Sequence, residues 1–339
     1  MKDILRKLTA AWGPSGRESE VAHEIAALIG PFVDTVRTDP LGNVIATVGA
    51  TAPVSSGQRR VMLCAHMDQA CLVVTEATQE GLLRFGVVGR FEAVALLGQR
   101  VRNRTGTVGV VGLEDGAEAK DISSGKMLID IGAPDRESAA KKAPPADVFV
   151  LAGDLLDFGD RVSAPALDNR AGCAVLVEVA RCLRQGAATA NAVDFVFSVQ
   201  GAVAPRGARP AAFGLEPDLG LVVDTTPAQG GGKPKTQVQL GKGPAIRVKE
   251  GNYVAPPQVR SMLERAADSA GVPHQLDVSS SDDDASDAAA IEVVRAGILT
   301  GVIGLPARFA RTPAASVCLT DLQATVKLLV RTLQGPLEM

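Results

Sequence analysis

At 339 residues the chain is too long for one small core and calls for one large or two medium domains. Hydrophobic residues make up 46% and charged residues 22%, the balance of a globular protein, and the 3% aromatic content excludes the stacking platforms that single-stranded nucleic acids need. A net charge of -3, with 35 basic and 38 acidic residues interspersed, leaves no basic footprint for a phosphate backbone, and no run of about 18 apolar residues offers a membrane span.

Ile4, Leu8, Ala11 and Trp12 fall on one helical face, and Gly13-Pro14 ends that helix. The segment does not read as a signal peptide, because a long apolar stretch is missing. Ser15-Gly16-Arg17-Glu18 reads as a capping box opening a second helix, with Val21, Ala22, Ile25, Leu28 and Ile29 inward and Gly30-Pro31 as its stop. Leu41 to Ala46 reads as a turn into a strand. Four apolar runs have the length and β-branched content of buried strands: Val61 to Ala65, Val193 to Val199, Leu219 to Val223, and Thr300 to Leu305. Helical patterns separate them. One covers Ala171 to Leu183 before Gly186; another starts at Pro256-Pro257 and turns Met262, Leu263, Ala266 and Ala267 inward. Such alternation predicts an α/β sheet covered on both faces.

Residues 71–163 differ. Short strand-like runs (Leu72 to Thr75, Leu82 to Val88, Thr107 to Val111, Met127 to Ile131) alternate with Gly-rich turns, which predicts a mainly β insert. Lys141-Lys142-Ala143-Pro144-Pro145 reads as an exposed loop within it. The expected division is an α/β domain from residues 1–70 and 164–339 and a smaller β-rich insert from 71–163. Cys64, Cys71, Cys173, Cys182 and Cys318 are odd in number and show no CxxC spacing, so free thiols in a cytoplasmic protein are expected rather than a structural zinc site.

Ligands of open α/β sheets gather at the carboxyl ends of the strands. His66, Gln200 and Asp224 each stand at the end of an apolar run and Asp168 just before a helix, so four segments aim polar groups at one crevice. Each also has a plain structural reading. His66-Met67-Asp68 fits a capped histidine, Leu167-Asp168-Asn169-Arg170 a helix N-cap followed by an ion pair, and Asp224 a strand terminator. Asp282-Asp283-Asp284 lacks EF-hand spacing and reads as a solvated loop, and Gly230-Gly231-Gly232-Lys233 lacks the phosphate-loop motif.

Together and in order, the motifs resemble the family of glutamyl and tetrahedral aminopeptidases, some once labelled endoglucanases. The matches run nearly end to end, through Pro14-Ser15-Gly16-x-Glu18, Leu41-Gly42-Asn43-Val44-Ile45-Ala46, Ala65-His66-Met67-Asp68, Leu97-Gly98-Gln99-Arg100-Val101 and Leu128-Ile129-Asp130-Ile131-Gly132. They continue with Ala166-Leu167-Asp168-Asn169-Arg170-Ala171-Gly172, Arg206-Gly207-Ala208, Gly241-Lys242-Gly243-Pro244, Ser286-Asp287-Ala288, Gly301-Val302-Ile303-Gly304 and Pro306-x-Arg308-Phe309. The resemblance implies a mixed-sheet, zinc-aminopeptidase-like domain holding two cations, a β insert used in dimerisation, and assembly into large, often dodecameric, shells.

Carried over by position, His66, Asp168 and Asp224 would hold the first cation, with Asp168 as the bridge and Asp68 in support. The family's Gln-Glu-Glu-Val-Gly is here Gln200-Gly201-Ala202-Val203-Ala204, so Gly201 stands at the general-base position and Ala202 at a second-metal ligand. Arg311, in Arg308-Phe309-Ala310-Arg311-Thr312-Pro313, takes the place of the remaining histidine, and Gln69 replaces an acid. Arginine has no lone pair for a cation, and a lost general base costs about 10²–10⁴ in rate. His23 and His274 match no ligand position and read as surface histidines. The Arg311 guanidinium is expected where the cation stood, paired with Asp168.

These matches predict a family member without its general base and second metal, kept for binding, assembly or regulation. The alternative is a one-metal hydrolase of an amide or peptide using His66, Asp168 and Asp224; an ordinary aminopeptidase is opposed by Gly201 and Ala202. The expected cofactor is one divalent cation, Zn or Co, or none. Expected partners are further copies of the chain and a peptide or small amide, with no nucleic acid and no membrane.

Overall fold

Helix α1 (Lys2–Ala10) buries Leu5 and Leu8, and α2 (Ser19–Ile29) buries Val21, Ile25 and Ile29, the positions that a 3.6-residue period places on one side. The computed structural model describes residues 1–51, 59–118, 122–230, 236–279, 286–335 and 337; most of the serine and aspartate run at 279–284 and of the glycine run at 230–233 lies outside these. The capping box expected at Ser15–Glu18 does not form. No side chain caps α2, because the Ser15 hydroxyl donates to Asp68 and Glu18 Oε1 accepts the amides of Gly16 and Gln200.

Next come β1 (Thr35–Thr38), β2 (Val44–Val48) and β3 (Arg60–His66). Strands β4 (Cys71–Ala77), β5 (Leu82–Val88), β6 (Arg100–Asn103), β7 (Val108–Leu113), β8 (Met127–Asp130) and β9 (Val148–Leu151) then close a barrel in the order β4-β5-β8-β7-β6-β9. Closure leaves these strands no free edge, and Leu72, Leu83, Val101, Val111, Ile129 and Phe149 fill the interior. Two short helices accompany it, α3 (Ala93–Leu96) and α4 (Arg136–Lys142). Lys141 and Lys142 therefore end a helix rather than lie in a loop. Asp135 starts that helix by accepting the Ser138 amide at 2.8 Å, and both lysines sit in its last turn, where the carbonyl dipole favours them.

The chain returns through β10 (Leu156–Asp157), β11 (Arg161–Ser163), α5 (Leu167–Arg184), β12 (Ala192–Ser198), α6 (Ala208–Leu215) and β13 (Leu219–Pro227). It ends with β14 (Ala245–Glu250), β15 (Tyr253–Val254), α7 (Pro257–Ser269), β16 (Gln275–Val278), α8 (Ala288–Ile291), β17 (Leu299–Arg308), β18 (Ser316–Cys318) and α9 (Leu319–Gln334). Among the described residues these strands, with β1 to β3, form one mixed sheet of 12 strands along the path β1-β2-β12-β3-β13-β17-β18-β11-β10. Although β10 and β11 fall inside the expected 71–163 insert, they pair through β18 into this sheet, so the barrel strands end at Leu151.

The four apolar runs become the central parallel strands β12, β3, β13 and β17. Alternation along them feeds two cores. Leu63, Phe195, Leu221 and Ile303 join the core beneath α1, α2, α5, α7 and α9; Met62, Val196, Val222 and Val302 join that beneath α6 and α8. Each such side chain contributes about 1.5–3 kcal/mol by leaving water, so both faces must be covered. The five cysteines are free thiols, Cys182 partly exposed and the rest buried. No described helix is long and apolar enough to cross a membrane.

Candidate functional site

Parallel register builds the site. Cys64 pairs with Val222 and His66 with Ser198, so His66, Asp224 and Gln200 emerge together at the carboxyl ends of β3, β13 and β12. Asp168 arrives from the start of α5. The helix is capped by Asn169 rather than Asp168: Asn169 Oδ1 accepts the Gly172 amide at 3.1 Å and its Nδ2 donates to the Val223 carbonyl at 2.8 Å. Glycine at 172 permits that approach, since a Cβ there would lie 2.4 Å from Asn169 Oδ1 and 2.8 Å from the Val223 oxygen. The Asp168–Asn169 peptide is cis. Arg170 forms no ion pair of the kind expected; fully buried, it donates to the carbonyls of Leu8, Ala11 and Gly13 near the end of α1, and burial lowers its pKa to about 10.

His66 Nε2 stands 3.7 Å from Asp168 Oδ1 and 3.9 Å from Asp224 Oδ1. The ligand atoms of the three residues lie within 4.8 Å of one another. Burial alone would depress the imidazole pKa, but Asp168, Asp68 and Asp224 outweigh it and hold His66 well above its ordinary value. Asp224 is pushed up to about 8 by burial and by the charges of Asp168, Glu250 and Asp287. Asp168 goes the other way, because His66, Thr225 (whose hydroxyl donates at 2.8 Å) and Arg311 together outweigh desolvation. Such a surplus of negative charge around a histidine fits one divalent cation. Beside this cluster Ala202 offers no side-chain donor and Arg311 no lone pair.

Asp68 is fully buried and does several things at once. Its Oδ1 faces His66 Nδ1 at 3.1 Å, which leaves Nε2 for the cavity. Its oxygens also accept the Gly201 amide at 2.7 Å, the Ala202 amide at 3.0 Å and the Ser15 hydroxyl at 2.5 Å. These bonds hold its carboxyl below the ordinary range despite burial, the pair with His66 contributing most. Glu18 pins the preceding residue through the Gln200 amide at 3.0 Å, while burial raises its own pKa. Gln200 adopts a left-handed φ of 57° and turns the chain toward His66.

The consequence falls on Gly201. A Cβ there would meet His66 Cβ at 2.3 Å and Cγ at 2.5 Å. The backbone thus occupies the space that any larger side chain at this position would need.

A cavity of about 260 Å³ opens over the cluster. His66, Asp168, Gly201, Ala202, Asp224 and Arg311 all line it, with Gln69, Arg90 and Phe91 on other walls. His23 and His274 do not reach it; His274 Nδ1 faces the Val272 carbonyl at 3.4 Å. The residues that sequence reasoning missed are Thr225, Arg247 and Glu250. The charged Arg247 and Glu250 within the strand Ala-Ile-Arg-Val-Lys-Glu were the available signal, and both are almost fully buried at the cavity.

A mixed sheet that gathers a histidine and two aspartates at its parallel strand ends, beside a small β-barrel, is the fold of the aminopeptidases built around metal ions. The chain belongs to the M42 glutamyl aminopeptidase family, whose model matches residues 42–328. A putative aminopeptidase of Acetivibrio thermocellus is 38% identical over 335 residues, 97% of each chain. Aminopeptidase APDkam598 from the archaeon Desulfurococcus kamchatkensis superposes with a TM-score of 0.90 at 30% identity, covering 99% of this chain and 94% of its own. The TET1 peptidase of Pyrococcus horikoshii, which can assemble into a tetrahedron or a large octahedral shell, gives 0.85 at 29% identity and 98% coverage of both.

Proposed function

We propose that this chain has given up two-metal peptide hydrolysis and keeps its cavity to bind a peptide or small amide, within a homo-oligomer. One observation carries the reading: Gly201, at the general-base position, packs on His66 so closely that a Cβ would stand 2.3 Å from the His66 Cβ. The base is thus missing and its room is filled.

His66, Asp168 and Asp224 would hold one cation, which when bound supplies Lewis-acid polarisation of a carbonyl oxygen. Asp68 orients His66 and pins the Gly201 and Ala202 amides. Arg311 lines the same cavity and its charge favours ionised Asp168, in keeping with a guanidinium standing in for the second cation. The tight three-ligand cluster favours a second reading, a one-metal hydrolase of an amide.

Metal content and turnover separate the two. After purification with zinc, at most one equivalent and no hydrolysis of aminoacyl amides is expected. One equivalent with hydrolysis of another amide favours the second reading; near two equivalents with aminopeptidase turnover sinks both. Assembly follows the TET1 peptidase, with the insert at 71–163 as the contact module. Its strand β7 offers support, since Val108 and Val110 are 56% and 46% exposed. The buried free thiols favour a cytoplasmic setting.

A further inference from the structure

A second cavity, of about 600 Å³, opens where the barrel meets the corner between α1 and α2. Two arginines clamp the barrel to these helices: Arg102 Nη2 donates to the Ala10 carbonyl at 2.6 Å, and Arg17 Nη2 to the Ala146 carbonyl at 2.8 Å. The cavity has an apolar side, where Trp12 and Val199 are buried and Ala22 and Leu41 adjoin them. Its rim is basic. Arg17 and His23 stand at and within the first turns of α2, and Arg104 stands in the turn between β6 and β7, which Asn103 fixes by accepting the Thr107 amide at 2.7 Å. Among the described residues Arg104 makes no hydrogen bond or ion pair, and Arg17 makes no ion pair. The one acid among the described lining residues is Glu18, whose Oε1 is already taken by the amides of Gly16 and Gln200.

This is the reverse of the cavity over His66, where aspartates gather. Two guanidiniums and an imidazole around one cleft attract an anion, and a guanidinium fork grips a carboxylate or phosphoryl group through paired N–H bonds. The apolar side then selects among anions, because a bare inorganic ion would leave Trp12 and Leu41 uncovered whereas a hydrophobic body would remove them from water. The volume lies within the range of about 300–1,000 Å³ usual for small-molecule sites. We propose that this cleft is a second binding site, for an organic anion whose charged head meets Arg17 and Arg104 and whose apolar body covers Trp12. The loop after β12 divides it from the histidine–aspartate cluster, with Val199 lining one cavity and Gly201 and Ala202 the other. The site stands whether or not that cluster is catalytic.

Trp12 is the only tryptophan in the chain, so its emission reports on this cavity. Titration of the full-length protein with 4-phenylbutyrate is expected to give a saturable change in that emission. 4-Phenylbutyramide, which lacks the charge, and butyrate, which lacks the ring, should each bind about 10-fold more weakly. Arg104→Gln should weaken phenylbutyrate by about 10-fold at an unchanged unfolding midpoint, whereas Arg311→Gln, in the other cavity, should leave it unaltered. Either phenylbutyrate or 3-phenylpropylphosphonate binding the more tightly supports the site and identifies its head group as carboxylate or phosphoryl. Equal binding of acid and amide overturns the proposal, as does loss of binding in Arg311→Gln but not in Arg104→Gln. Calorimetric binding without a change in Trp12 emission places the ligand elsewhere and overturns it, and so does binding by none of these compounds.

Discussion

Gly201 concentrates the problem at the scale of single residues. A glutamate cannot simply be placed there, because its Cβ would overlap His66. Gly201→Ala is expected to destabilise the fold by about 1–3 kcal/mol, as overpacking does, read as a lower urea midpoint at unchanged slope. Joint replacement of Gly201 and Ala202 by glutamate with Arg311→His is expected not to restore hydrolysis of aminoacyl amides; turnover by that variant would mean the loop moves aside freely. Protonation supplies another test. Asp224 ionises near 3.8 when unfolded and about 8 when folded, so between those values the folded chain holds the extra proton and stability falls as pH rises. His66, raised above 6.5, acts in the same direction, its contribution present below 6.5 and fading as pH climbs through the folded value. Asp68 and Asp168, both lowered from 3.8, contribute above that pH and lose the contribution in acid. The chelator-treated protein should therefore unfold at lower urea at pH 9 than at pH 6, and zinc should reduce the difference.

Elements meet the site through their ends. Asn169 joins the start of α5 to the end of β13, and in doing so sets where Asp168 points. Asn169→Ala removes a cap and a buried bond to the Val223 carbonyl; a loss of about 2 kcal/mol in unfolding free energy is expected. It should also weaken zinc binding by about 10-fold, the usual cost of a lost orienting partner, measured by competition with a chromophoric chelator. Unchanged zinc affinity would show that Asp168 is positioned without Asn169. This role was half legible. Leu-Asp-Asn-Arg marks a helix start, but which of Asp168 and Asn169 caps depends on the strand lying against it. Ser15 and Glu18 teach the same lesson from the opposite side: residues of capping-box type are drawn off by Asp68 and by the loop after β12.

At the scale of the whole molecule, two cores cover one sheet while a closed barrel leaves apolar Val108 and Val110 on its outer surface. Isolated exposed valines are ordinary; two on one strand of a proposed contact module are worth testing. Sedimentation velocity is expected to show a dimer or larger species. Replacing both valines by lysine should shrink it without lowering the unfolding midpoint, and a monomeric parent chain at micromolar concentration would rule out the proposed assembly.

The layered sheet was readable from the chain, because a strand buried on both faces must be apolar throughout and His66, Asp224 and Gln200 then fall at its ends. The barrel was foreshadowed by four runs, but β6 and β9 were missed, and β10 and β11, within the expected 71–163 bounds, pair into the large sheet, since short strands owe their place to partners distant in sequence. Membership of the aminopeptidase family was equally legible from ordered motifs. Tertiary structure alone decided that the room at residue 201 is closed and that Arg247 and Glu250 lie buried at the cavity wall. Sequence names the residue at each position; how much room that residue has depends on packing between strands far apart in the chain.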